Sequence, residues 1–266
     1  MDGRWSRKAG WALLVMASVA GGARAAPLTL AVQPVLGAKA TRVAFSPLAR
    51  FLGQILGRPC RVVTSPNFLA YWESMRQRPG PTFVLDAAHF TDFRLTHLHY
   101  HVLVKEPGTI SYSLVVRGSE MVLGPSALIG RRVASLGIPS MGAALLDQMF
   151  PHATRRPIVV AARDAAAEFR LLAAHRVAAA MIPTPLVARK MAQGADLSVV
   201  TTTPPIPNIA LSAAPGLSAA QYARLRHALL GAPASLFRAL GLQRFVIAHA
   251  RQYRGQDRLL KIYWGY

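Results

Sequence analysis

Short apolar runs alternate with helix-like stretches from residue 28 onward, and that alternation limits what the chain can build. Leu28–Val32, Arg61–Thr64 and Thr82–Leu85 are strand-length and apolar. Between them, Phe45, Leu48, Phe51, Leu52 and Ile55 recur at three- and four-residue intervals, the spacing of an amphipathic helix. Gly57-Arg58-Pro59 ends it, and a second helix over Asn67–Met75 follows Pro66. The order β-α-β-α-β predicts a mostly parallel sheet flanked by helices.

Strand-like segments around Tyr100–Val104 and Tyr112–Val116 bracket Pro107-Gly108. A second α/β module then begins at Ser126–Ile129. It takes in strands Val133–Leu136, Ile158–Ala161 and Val177–Ile182, with a helix over Ala165–Ala174. Leu197–Val200 leads into the proline-rich Thr201–Asn208, strand Ile209–Ser212 and helices from Ser218 on. Two modules joined by crossings near 105–110 and 202–208 describe a hinged clamp, with a ligand at strand ends and helix starts between the lobes.

The most informative local feature is Arg132–Met149, where an apolar strand breaks at Gly137 and Pro139 and Ser140 stands as an N-cap before a helix. Backbone N–H groups and a hydroxyl converge there at the positive end of a helix, an arrangement suited to anions. Gly137–Gly142 reads G-x-x-S-x-G, but a nucleophile elbow needs glycine two residues before the serine, and Ile138 stands there. No catalytic residue is assigned. The bland alternative is that Ser140 only caps its helix.

Residues 1–25 have the form of a secretory signal: a basic start (Arg4, Arg7, Lys8), an apolar stretch over 9–20 and Ala23-Arg24-Ala25 at the cleavage position. Cleavage near Ala25 leaves 241 residues for export to the periplasm. Cys60 is the only cysteine, which excludes an intrachain disulfide. The formal charge is +20, of which the first 25 residues carry four cations and one anion. Excess positive charge favours anionic partners. The basic residues are dispersed, without the aromatic-interleaved patch of a nucleic-acid binder, so no nucleic-acid partner is expected.

His97, His99 and His101 alternate, and on a strand would share one face, with His89 near in sequence. No acidic cluster accompanies them, and surface or hinge histidines are the preferred reading over a metal site. Asp86, at a strand end, would orient a helix or bond loop amides rather than face an anion. The C-terminal Tyr263-Trp264-Gly265-Tyr266 reads as a docked aromatic tail.

Several segments, taken in order, resemble the periplasmic solute-binding proteins of phosphonate/phosphite ABC transporters, the PhnD-like group of the type II binding-protein fold. They are Phe45–Leu52 with Gly57, Phe68–Met75, Phe83–Phe90, Ile129–Ser135, Pro139–Gly142 and Ile206-Pro207-Asn208. The resemblance implies a two-lobed α/β clamp with two hinge crossings, lobe 1 being 26–106 with 207–266 and lobe 2 being 107–206. It implies a small anionic, phosphonate- or phosphate-like solute, delivered to a membrane ABC permease by a monomer that needs no cofactor or metal. The matching ligand-binding positions are Ser140, Met141 and Gly142, then Asn67 and Phe68, then Ala87 and His89, with Thr184 at a further strand end. The chain departs from the family at Arg176–Ala180, where an aspartate is often seen, and at Met141 within a usually Ser/Thr-rich helix start. Two rivals remain from the sequence: a sensor using the same clamp to signal to a membrane-bound protein, and an exported hydrolase.

Overall fold

The computed structural model describes residues 26–77 and 80–260, so the signal-like segment and the aromatic residues 263–266 lie outside the described residues. The chain forms two lobes, each around its own sheet. Strands β1 (Leu28–Val32), β2 (Cys60–Val63), β3 (Phe83–Asp86) and β4 (His101–Lys105) belong to the first sheet. A two-stranded ribbon of β5 (Thr109–Ile110) and β11 (Ile206–Pro207) carries both crossings, antiparallel to one another. The second sheet holds β6 (Tyr112–Arg117), β7 (Arg132–Ser135), β8 (Ile158–Ala161), β9 (Ala179–Pro183) and β10 (Leu197–Thr202). The chain then returns to the first sheet through β12 (Ala210–Ala213) and β13 (Val246–Ile247).

Both sheets are mixed in the same way. In the first, ordered β13-β4-β12-β3-β1-β2, β1 runs parallel to β2 and β3, while β12 runs antiparallel to β3 and β4. In the second, ordered β10-β6-β9-β7-β8, β7 runs parallel to β8 and β9, while β6 runs antiparallel to β9 and β10. The parallel halves arise from β-α-β units, which require a covering helix for each crossover.

The helices are α1 (Ala38–Leu56), α2 (Phe68–Met75), α3 (Ala88–His97), α4 (Met141–Met149), α5 (Ala165–Ala173), α6 (Thr184–Ala192), α7 (Ala219–Leu230) and α8 (Ala234–Leu240). One face of the first sheet packs on α1, α7 and α8 through Leu48, Leu52, Leu225, Leu229 and Phe237. The other face receives Phe68, Tyr71, Trp72 and Met75 of α2 with Phe90 and Phe93 of α3. The apolar stripe of α1 is the one its spacing predicts, and Gly57 ends the helix in the left-handed conformation (φ 65°) that costs glycine little.

Two helices escaped the sequence pattern. In α3 every residue from Ala88 to Arg94 is buried, so no polar face produces a helical period. In α6 the strand expected over Val177–Ile182 runs into Pro183-Thr184-Pro185, and Pro185 occupies the first turn of a helix, where a missing N–H costs nothing. The alternating histidines do not share a strand face: His97 ends α3, His99 has φ 57°, and His101 begins β4. Among the described residues no group of three His, Cys, Asp or Glu side chains is placed to hold a metal ion.

Asp86 ends β3 and is fully buried. Its Oδ2 accepts from Arg94 Nε at 2.5 Å, its Oδ1 accepts from the Tyr71 hydroxyl, and the Arg94 guanidinium lies 5.2 Å from the Tyr100 ring centroid. This network fastens α2 and α3 to the sheet. Removing one member of a buried ion pair leaves the other charge uncompensated, which costs about 3–5 kcal/mol. Asp86→Ala is therefore expected to lower unfolding free energy by that amount in urea titration, and a loss under ~1 kcal/mol would contradict the role assigned to the pair.

Candidate functional site

The junction from β7 to α4 is built by local bonds. Gly137, at φ 77°, reverses the chain, its N–H donates to Ser135 Oγ at 3.2 Å, and its carbonyl accepts from the Ser140 N–H at 2.8 Å. Ser140 caps α4: its Oγ accepts from the Ala143 N–H at 3.3 Å and its carbonyl accepts from the Ala144 N–H at 3.0 Å. The N–H groups of Met141 and Gly142 have no acceptor among the described residues, and the Ser140 hydroxyl proton remains available to a further acceptor. Gly142 allows α4 to sit this close to the sheet, because a Cβ there would stand 3.0 Å from the Met181 carbonyl oxygen.

These donors line a small cavity, ≈ 20 Å³, between the lobes. The first lobe contributes Gln33, Val35 and Phe68, and the second adds Tyr112, Leu136, Met181 and Pro183 to Ser140, Met141 and Gly142. Its remaining lining residue is Glu168 of α5. Glu168 is fully buried, and neither carboxyl oxygen has a hydrogen-bond partner among the described residues. Burial, reinforced by the nearby Asp164 carboxylate, pushes its carboxyl well above the usual carboxylate range. Burial also raises the Tyr112 phenol, with the Glu168 charge adding to the effect. Wider hollows, such as one of ≈ 570 Å³ beside Met75, Leu98, Tyr100 and Ala214, touch a single lobe.

Of the eight positions singled out in the sequence, Phe68, Ser140, Met141 and Gly142 come together around this cavity. The other four are placed around it without lining it. Asn67 caps α2, its Oδ1 accepting from the Ala70 N–H at 2.8 Å, and it is exposed. The Ala87 N–H donates to Gln33 Oε1 at 3.1 Å. The Thr184 hydroxyl is engaged with Ser113 Oγ at 2.9 Å. His89 joins the lobes: fully buried on α3, its Nε2–H donates to the Pro139 carbonyl at 2.9 Å.

Glu168 carried a signal that went unread. Ala165, Glu168 and Leu172 are the buried positions of α5, an i, i+3, i+7 stripe interrupted by one acid. Gln33, Tyr112 and Met181 had none, because they reach the cavity only through the pairing of distant strands.

Two mixed α/β lobes linked by a paired crossing, with unbonded amides and a hydroxyl facing a cavity between them, define a clamp-type solute-binding protein. The family model for phosphonate ABC-transporter periplasmic substrate-binding proteins matches residues 30–253, and the chain belongs to that family. It is thus a periplasmic protein that captures a solute for a membrane permease.

Solved structures agree on the fold. PhnD1 of Prochlorococcus marinus, in complex with methylphosphonate, is similar at a TM-score of 0.74 and 13% identity, over 88% of this chain and 97% of that one. A Xanthomonas citri protein bound to ATP is similar at 0.69 and 14%, over 88% and 97%. The binding-protein component of an ABC phosphonate transporter from Pseudomonas aeruginosa is similar at 0.67 and 14%, over 89% and 86%. No curated protein matches the sequence.

The His89 clasp has a pH signature. Burial pushes its imidazole down to about 4, against the partial opposing effect of the Pro139 bond. The unfolded chain, with an imidazole near 6.5, binds a proton that the native state refuses, so stability falls as pH drops from 6.5 toward 4. The expected slope reaches at most about 1.4 kcal/mol per pH unit. Thermal melts from pH 7.5 to pH 5 should show this decline in the wild type, and a smaller one in His89→Gln.

Proposed function

We propose that the mature protein, cleaved near Ala25, is a monomeric clamp for a small tetrahedral oxyanion of the phosphonate or phosphate class. Its lobes are 26–106 with 207–266, and 107–206, a division supported by which strands enter each sheet. The observation that carries the reading is the α4 start, where the Met141 and Gly142 N–H groups and the Ser140 hydroxyl, without an acceptor among the described residues, meet one cavity, which at ≈ 20 Å³ has room for about one water and must widen to admit the anion. Positive helix-end potential and oriented amides stabilise an anion there. The proposed ligand set keeps Phe68 against the ligand's substituent, while Asn67, Ala87, His89 and Thr184 hold the surrounding frame.

The protein catalyses no reaction in this reading. The Ser140 hydroxyl is assigned no catalytic role: its Oγ is engaged as the α4 cap, and the neighbouring His89 imidazole bonds the Pro139 carbonyl rather than the hydroxyl. Delivery is to a membrane ABC permease, and no nucleic acid is involved.

Ligands that bind only the native state raise its melting temperature. The mature protein is expected to be stabilised by methylphosphonate, phosphite or phosphate, read by thermal shift. Ser140→Ala should weaken the binding about tenfold or more, since a hydrogen bond to a charged group is worth roughly 1.5–3 kcal/mol. Stabilisation by neutral solutes alone, with no response to any oxyanion, would overturn the assignment.

A further inference from the structure

An acid stands in a site built for anions. Glu168 lines the same cavity as the amides of Met141 and Gly142, is fully buried, and has both carboxyl oxygens without a partner among the described residues. An ionised carboxylate there would repel an oxyanion: two unit charges ~4 Å apart at an effective dielectric of ~20 lose about a thousandfold in affinity. Among the described residues the surroundings supply no compensating cation. β9 and the Gln33–Leu36 loop bring no titratable group. β6 brings the Tyr112 phenol, and Arg117 at its far end, where the guanidinium is tied to the Leu172 and Val177 carbonyls. Arg132 of β7 is exposed. On its own helix, Asp164 adds negative charge and is itself paired with Arg163 at 3.2 Å and Arg170 at 3.5 Å.

We propose that Glu168 is a specificity-determining residue that takes up a proton as the cleft closes around the ligand and, as a carboxylic acid, donates a hydrogen bond to the bound oxyanion. The ligand unit is therefore an oxyanion together with one proton, shared between carboxyl and ligand. The carboxyl carbonyl oxygen can meanwhile accept from a protonated ligand oxygen or from the Tyr112 hydroxyl. Burial supports the neutral form, as it does for any carboxyl without a charged or hydrogen-bonding partner.

The inference rests on the oxyanion reading above and is tested on the whole mature protein with methylphosphonate. Its Kd is measured by calorimetry at pH 6.5, 7.5 and 8.5 for the wild type and for Glu168→Gln, whose amide donates without titrating. Taking the ratio of the two constants at each pH cancels the ionisation of the ligand itself. The wild type is expected to weaken relative to the variant by about tenfold or more across this range, because a required proton becomes harder to retain. In buffers of different ionisation enthalpy at pH 8.5, the wild type should take up more protons on binding than the variant. Should the variant not fold, proton uptake by the wild type, compared with the known ionisation of methylphosphonate, reads the same quantity.

A constant ratio with equal proton uptake would overturn the inference while leaving the oxyanion reading intact. Binding confined to phosphonates that carry an ammonium group would also overturn it, by showing an ionised Glu168. Failure of the wild type to bind any oxyanion would instead sink the parent reading.

Discussion

The seating of α4 between the lobes is the constraint on which the site depends. Its first turn offers amides to the cleft, yet Met141, Ala144 and Leu145 on the same helix are buried with first-lobe Ala87, Ala88, Val102, Ala210, Tyr253 and Leu259. Another face of the helix, through Leu146, packs with Leu114, Val133 and Met181 of the second lobe. A helix held on two sides by close-packed side chains has little freedom to rotate, so its amides point in a fixed direction. Preorganised donors of this kind lose little entropy when a ligand arrives. The same apolar contact couples the cavity to the packing of the lobes, because separating the lobes would expose it.

Around that seat the lobes are joined by few polar bonds. The His89 imidazole reaches the Pro139 carbonyl, and the Ala165 N–H at the start of α5 reaches the Val35 carbonyl at 3.1 Å. Both bonds end on turns that border the cavity, one before α4 and one before α5. Cavity-lining residues and interlobe bonds are thus neighbours in sequence: Pro139 precedes Ser140, and Ala165 stands one turn before Glu168. In the proposed reading, a ligand bound at the α4 or α5 start would favour the arrangement in which these contacts form, the differential affinity that a conformational shift requires.

Much of the fold could be read from the chain because the parallel halves of both sheets obey local rules. The α1 stripe, the Gly57 stop and the Ser140 turn each declare themselves within a few residues. The helix over Ala88–His97 did not, since a helix buried all round has no polar face to set a period. α6 was missed because its start lies in the Pro183-Thr184-Pro185 run that follows the expected strand. Within the site, the α4 donors were legible because one turn supplies them. The opposite wall was not, since Gln33, Tyr112 and Met181 meet only after β1, β6 and β9 have taken their places in two sheets. Glu168 lies between these cases, visible as an acid in an apolar stripe but intelligible only once its oxygens are seen to be unpaired.

The paired crossing carries a consequence of a different kind. Ile206 and Pro207 lie in register with Ile110 and Thr109, and the Asn208 side-chain amide donates to the Pro107 carbonyl at 3.3 Å. The backbone therefore leaves the first sheet and comes back to it side by side, with about a hundred residues in between. To the first lobe that whole excursion is one surface loop closed at its neck, and the entropic cost of such a closure grows only slowly with the length enclosed. Residues can accordingly be gained or lost far from the neck at small cost to the remainder, provided the ribbon still pairs. Such an architecture lets ligand preference drift in one half of the clamp while the other half keeps its shape.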